Sequence, residues 1–140
     1  MEKKYKILWI DDDVNNPELV SERDALEELG GEITPVTNPD DFEIDTVPLY
    51  DCIIIDLFMP IGTKLSEEET KNGTRTGFVL LKMIKKEYPQ TKTIMYSVFD
   101  APDLREYCIN NNIPYWEKSS VMPDDFAINV LTELQNEQQD

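Results

Sequence analysis

Histidine is absent from this 140-residue chain. That excludes a serine–histidine–acid triad and any histidine-ligated zinc centre. Cysteine is scarce. Cys52 falls in an expected strand and Cys108 in an expected helix, with no CxxC pair, so both read as reduced core thiols. Positive charge is also scarce: 13 Lys and Arg stand against 29 Asp and Glu, a formal net charge of −16. Nucleic-acid binding is driven by Lys and Arg neutralising phosphates, so no direct nucleic-acid partner is expected. No apolar run is long enough to span a membrane, and the opening residues Met1-Glu2-Lys3-Lys4-Tyr5 contain no apolar leader. The expectation is a cytoplasmic protein that does not engage a membrane. Internal repeats are missing, and the acidic excess reads as a solubilising surface.

What is present is a regular alternation. Forty percent of the residues are hydrophobic, enough to fill the core of one domain spanning residues 1–140. Tyr5–Ile10 is continuous and apolar, as a strand covered on both faces should be. Leu19, Val20, Ala25, Leu26 and Leu29 recur near helical spacing between Pro17 and the stop signal Gly30-Gly31. A short strand is expected over 32–36. A short helix is expected after the capping residue Asn38, where Pro39 and two acids follow. Residues 51–55 form a buried strand with three consecutive isoleucines. The pattern continues with a helix over 76–88, a strand over 93–96, a helix over 102–111, a strand over 113–116 and a final amphipathic helix over 123–138. Five strands and five helices in strict alternation predict a doubly wound α/β fold with a five-stranded parallel sheet and helices on both faces. The irregular stretch is 61–75, rich in Gly, Thr, Lys and Glu. Loops of that length are uncommon inside compact domains.

The strand ends carry the chemistry. The first strand runs into Asp11-Asp12-Asp13 and the Ile-rich strand into Asp56-Leu57-Phe58-Met59-Pro60. Ligands of open α/β sheets bind outside the carboxyl ends of the strands, so these acids describe a cation site. Ser97 closes a third apolar run and Lys118 follows a fourth. Each feature alone is ordinary: acids favour helix N-termini, serines cap helices and lysines are usually solvated. Together, at successive strand ends, they are the parts of a phosphoryl-transfer site.

This set, Asp11-Asp12, Asp56 with Met59-Pro60, Ser97 and Lys118, resembles the receiver domain of two-component response regulators, in the stand-alone, chemotaxis-regulator-like form. The resemblance covers almost the whole chain and implies a flavodoxin-like fold. It implies that Asp56 accepts a phosphoryl group from the phosphohistidine of a histidine kinase or phosphotransfer protein. It also implies Mg²⁺, held by Asp12, Asp56 and the backbone carbonyl of Phe58, with Asp11 acting mostly through water. Lys118 would pair with a phosphoryl oxygen and, without phosphate, hold Asp56. Ser97 and Tyr115 would form the switch, and roughly residues 100–138 the face read by a downstream protein target. On this resemblance the chain is a signalling module, not an enzyme in the ordinary sense, although it could remove its own phosphoryl group.

The chain departs from the family at several positions. Ser119 stands after Lys118 where most receivers carry a proline. Val98 follows Ser97 where a small residue is usual, and Phe58, bulky and apolar, stands two residues past Asp56. Both should border the approach of attacking water and slow loss of the phosphoryl group. The stretch 61–75 is an insertion and reads either as a lid or partner-docking element or as a tolerated surface excursion. Two other readings compete. One is a phosphorylation-independent, receiver-like interaction module. The other is an aspartate-nucleophile hydrolase, which needs a second acid where this chain has Phe58.

Overall fold

The computed structural model describes residues 4–98, 101–118 and 120–137. Its strands are β1 (Tyr5–Ile10), β2 (Gly31–Val36), β3 (Cys52–Ile55), β4 (Thr93–Ser97) and β5 (Tyr115–Glu117). Its helices are α1 (Pro17–Glu28), α2 (Glu67–Thr70), α3 (Thr76–Glu87), α4 (Pro102–Asn110) and α5 (Pro123–Glu137). The five strands form one parallel sheet in the order β2-β1-β3-β4-β5. This is the doubly wound parallel α/β sheet predicted by the alternation of apolar runs, in the flavodoxin-like form that the resemblance implied. No described helix is long and apolar enough to cross a membrane.

Successive side chains of a strand point to opposite faces, so each buried strand supplies two cores. Leu8, Ile10, Ile53, Ile55 and Met95 face one side, where Leu80, Leu81 and Ile84 of α3 and Leu104 and Cys108 of α4 pack. Ile7, Trp9, Cys52, Ile54, Ile94 and Tyr96 face the other, against Leu19 and Leu26 of α1 and Phe126, Val130 and Leu134 of α5. Both cysteines are buried and neither is joined in a disulfide, and burial pushes the Cys108 thiol up to about 11.

One expectation is refined and one is corrected. The short helix expected after Asn38 is present as a 3-10 turn, Pro39–Asp41, and a second 3-10 segment, Ile44–Leu49, follows it; neither is an α-helix. Asn38 does cap the first, accepting from the Asp40 amide at 2.9 Å, but Pro48 inside the second segment removes a donor that an α-helix would need. The fifth α-helix belongs instead to the insertion. Along α1, Val20 and Leu29 are exposed, and the buried face is Leu19, Glu22, Ala25 and Leu26. Ser119 and residues 138–140 lie outside the described residues.

The insertion is built rather than loose. Ser66 and Glu69 form a reciprocal capping box around α2. Asp40 accepts from the Thr63 amide at 2.8 Å and its hydroxyl at 3.1 Å, which clips the start of the insertion to the first 3-10 segment. Its end is held by Met59 N donating to Gly73 O at 3.3 Å and by the buried Thr76 hydroxyl donating to Met59 O at 2.8 Å.

Candidate functional site

The chain leaves β1 and β3 in opposite directions, through α1 to β2 on one side and through α3 to β4 on the other. The crevice at their carboxyl ends is the ligand position of open α/β sheets. Asp11 follows β1 directly and Asp56 follows β3 directly. Asp11 N donates to Val36 O at 2.9 Å and Asp56 N to Ile10 O at 3.0 Å, so the ladder extends one residue past each strand and holds both acids. Asp11 is fully buried and Asp56 is 5% exposed. Asp11, Asp12 and Asp56 each offer a carboxylate oxygen within 4.8 Å of the others.

Lys118 enters from the turn after β5, where its amide donates to Ser97 O at 2.9 Å. Its Nζ lies 2.7 Å from Asp11 Oδ2 and 3.3 Å from Asp56 Oδ2. The sequence suggested a lysine holding Asp56. The structure shows it shared, with the shorter contact to Asp11, the more deeply buried of the two acids. Burial works against the Lys118 charge, but Asp11 and Asp56 outweigh it and raise its pKa, so it stays cationic.

Burial and the neighbouring Asp11 charge push the Asp56 carboxyl up to about 6, with Lys118 and the Ser97 hydroxyl pulling down without cancelling them. Burial also raises Asp11, against Lys118. Asp12 is raised by burial, then by the charges of Asp13 and Asp11. Clustered carboxylates disfavour one another's ionisation, and one lysine does not offset three acids.

A cleft of about 210 Å³ opens on this cluster. Asp12, Asp13, Glu18 and Glu22 line it beside Asp56 and Lys118, and Phe58 and Val98 add apolar surface. Phe58 and Val98 are 44% and 57% exposed. A larger cleft of about 580 Å³ lies at the opposite pole, around Tyr5, Tyr50, Tyr88 and Lys92. Size does not decide between them: the converging carboxylates and the buried lysine lie at the smaller one. Asp56 Oδ1 is buried there without a hydrogen-bond partner. An orphaned carboxylate oxygen beside two more acids fits a hard divalent cation, which prefers oxygen ligands.

No family model matches the sequence, and no curated protein matches it. Solved structures do. The CheY-like response regulator receiver domain protein of Methanospirillum hungatei JF-1 is 20% identical, with a TM-score of 0.70 over 97% of this chain and 98% of that one. The receiver domain of the Francisella response regulator 1452 is 23% identical, with a TM-score of 0.68 over 95% and 98%. The chemotaxis protein CheY4 of Vibrio cholerae is 19% identical, with a TM-score of 0.65 over 94% and 98%. The chain has the receiver-domain fold.

Within that fold the structure gathers Asp11, Asp12, Asp56 and Lys118, with Phe58 in the cleft wall. Ser97 is fully buried at the end of β4. Tyr115 is not part of the cleft lining. It pairs in register with Met95, is half-buried against the α3–α4 side, and its ring lies 4.7 Å from the Arg105 guanidinium.

Two residues of the site were not singled out in the sequence. Glu22 sits on the buried face of α1 and lines the cleft; its spacing from Leu19 and Leu26 was the available signal. Gly77, in the first turn of α3, packs against the peptide of Asp56. A Cβ there would stand 1.9 Å from Asp56 O and 2.8 Å from Leu57 Cα, both backbone atoms. Gly77 N donates to Leu57 O at 2.9 Å, so the helix is tied at that approach. Alanine is favoured over glycine by about 1 kcal/mol in a helix interior. A backbone collision that no rotamer relieves costs more, so Gly77→Ala should destabilise the protein by about 3 kcal/mol. Urea unfolding checks this, and a variant as stable as wild type would show that α3 can retreat freely from Asp56.

Proposed function

We propose that this chain is a phospho-acceptor that signals by protein contact, with Asp56 as the accepting residue. The observation that carries this reading is the state of Asp56. It is a buried carboxylate with one oxygen unpartnered and the other near a buried lysine, at the mouth of a cleft lined by further acids.

A carboxylate oxygen of Asp56 attacks the phosphorus of a phosphohistidine on a histidine kinase or phosphotransfer protein. The P–N bond breaks, the imidazole leaves with the bonding pair and picks up a proton, and an acyl phosphate forms on Asp56. Phosphoryl transfer asks of a protein chiefly positioning and neutralisation of charge on the equatorial oxygens. Lys118, fixed through its own amide to β4, supplies one positive charge to those oxygens. Asp12, Asp56 and the Phe58 carbonyl would hold Mg²⁺, with Asp11 behind them, and the ion supplies the remaining positive charge when bound. Ser97 would bond the phosphoryl group once formed, and Tyr115 would turn inward from β5. The rearranged α4–β5–α5 face would then be read by a downstream protein.

The test is incubation with acetyl phosphate, with and without Mg²⁺, followed by intact-mass measurement. The expected result is one phosphoryl group per chain, only when Mg²⁺ is present. No modification at saturating Mg²⁺ would instead favour an interaction module that works without phosphorylation.

A further inference from the structure

α1 packs on the sheet through Leu19, Ala25 and Leu26, and Glu22 lies on that same face, 9% exposed. An apolar side chain would be the ordinary occupant. Among the described residues no ion pair neutralises Glu22. Its Oε2 accepts a long hydrogen bond, 3.5 Å, from the Tyr96 hydroxyl, and its own amide and the more distant Lys118 charge add to this without cancelling the effect of burial. Burial accordingly pushes its carboxyl above the ordinary range. A buried carboxylate so weakly compensated calls for a partner.

The cleft supplies the direction. Glu22 lines it together with Asp12 and Asp56, and it is not one of the three acids whose oxygens lie within 4.8 Å of one another. Asp56 Oδ1, also buried and unpartnered, borders the same space. Tyr96 holds Glu22 from a rigid base: its ring stacks on Phe126 of α5 with centroids 4.3 Å apart and meets Trp9 of β1 edge-on at 6.3 Å. Glu22 thus stands beside a rigid aromatic base, at the rim of the cleft and outside the group of inner acids.

We propose that Glu22 is a positioning residue of the cation site, an outer carboxylate that accepts hydrogen bonds from the waters of a bound Mg²⁺. This rests on the reading of Asp11, Asp12 and Asp56 as the cation's acids. Mg²⁺ gives up its waters reluctantly, so a site with few protein ligands leaves several waters to be held by something else. Outer partners of this kind tune metal affinity about 10–100-fold. The Tyr96 hydroxyl, 3.5 Å from Glu22 Oε2, places Glu22 next to the aromatic cluster under α5.

The proposal predicts effects of opposite sign on two properties. Glu22→Leu restores an unbroken apolar face on α1, so the metal-free protein should unfold at a higher temperature in EDTA than wild type. The same variant should bind Mg²⁺ about tenfold or more weakly by calorimetric titration. Glu22→Gln keeps an acceptor oxygen and should fall between the two. Glu18→Gln removes an exposed charge from the same cleft, largely screened at physiological salt, and should change affinity less than about twofold. A Glu22→Leu variant that binds Mg²⁺ as wild type does would overturn the proposal. So would lowered metal-free stability, which marks a purely structural residue, or equal weakening in Glu18→Gln, which marks bulk charge. If wild type itself binds no Mg²⁺, the reading of the inner acids fails first and this inference with it.

Discussion

An Asp56→Asn variant should take up no phosphoryl group from acetyl phosphate and should also be more stable than wild type in the absence of metal. The first effect follows from losing the nucleophile. The second follows from burial. Asp56 is 5% exposed with its carboxyl pushed up to about 6, chiefly by burial and then by the Asp11 charge. A carboxyl whose folded pKa exceeds its unfolded value adds stability that is complete below the unfolded value, near 4, and is lost as pH rises through the folded value. Metal-free wild type should therefore weaken between about pH 4 and pH 7, by on the order of 2–3 kcal/mol from this group alone. Asparagine has the same shape and no charge, so the variant should lack that part of the pH dependence. The overall charge of −16 at neutral pH also relaxes on acidification, in both proteins. The difference between them isolates Asp56. The measurements are intact mass after acetyl phosphate treatment and urea unfolding in EDTA at pH 5 and pH 7.5. Phosphorylation that persists in the variant, or identical pH dependence in the two proteins, would remove Asp56 from the centre of the site.

The acids at the strand ends were legible because a buried parallel strand and a polar terminus differ sharply in composition. Ile53-Ile54-Ile55 followed by Asp56, and Ile7-Leu8-Trp9-Ile10 followed by Asp11, mark the strand and the crevice at once. Alternation and handed crossovers give a parallel sheet with helices on both faces, while the order β2-β1-β3-β4-β5 is seen only in the structure. The short helix after Asn38 was legible because Asn38-Pro39 with two acids is a helix-start signal, but that signal does not say that the turn is 3-10 or that a second segment follows at Ile44–Leu49. Pro48, and the Asp40 carboxylate drawn to Thr63, are satisfied by 3-10 segments instead. Glu22 was hidden by its type. A carboxylate in helical register with Leu19 and Leu26 reads as a break in the apolar stripe until the cleft above it is visible. Gly77 could not be read locally either, because the atom that forbids a side chain there belongs to Asp56, 21 positions earlier in the sequence. The sharing of Lys118 between two acids depends on how the strand ends pack side by side rather than on any motif.

Lys118→Met should be the most damaging substitution in the metal-free site. The lysine side chain is 9% exposed and stands between two buried acids, 2.7 Å from one and 3.3 Å from the other. Methionine fills similar volume without charge, so little packing is lost and the loss is electrostatic. Removing one partner from a buried ion pair typically costs about 3–5 kcal/mol, because the remaining charge has neither water nor counter-ion. Here two carboxylates would be left facing each other. Their pKa values are already raised with the lysine in place, and without it both should rise further. By the same linkage the variant should lose stability steeply as pH rises toward neutrality and recover it on acidification, when protons replace the lost cation. Mg²⁺ should recover part of it at pH 7.5 if Asp11, Asp12 and Asp56 form a cation site, since a second source of positive charge then reaches the same oxygens. Urea unfolding of Lys118→Met at pH 5 and pH 7.5, with EDTA or Mg²⁺, resolves these contributions. Stability unchanged from wild type at pH 7.5 would mean that Asp11 and Asp56 are already protonated in the folded protein. A nucleophilic Asp56 carboxylate would then have to be created by the cation itself.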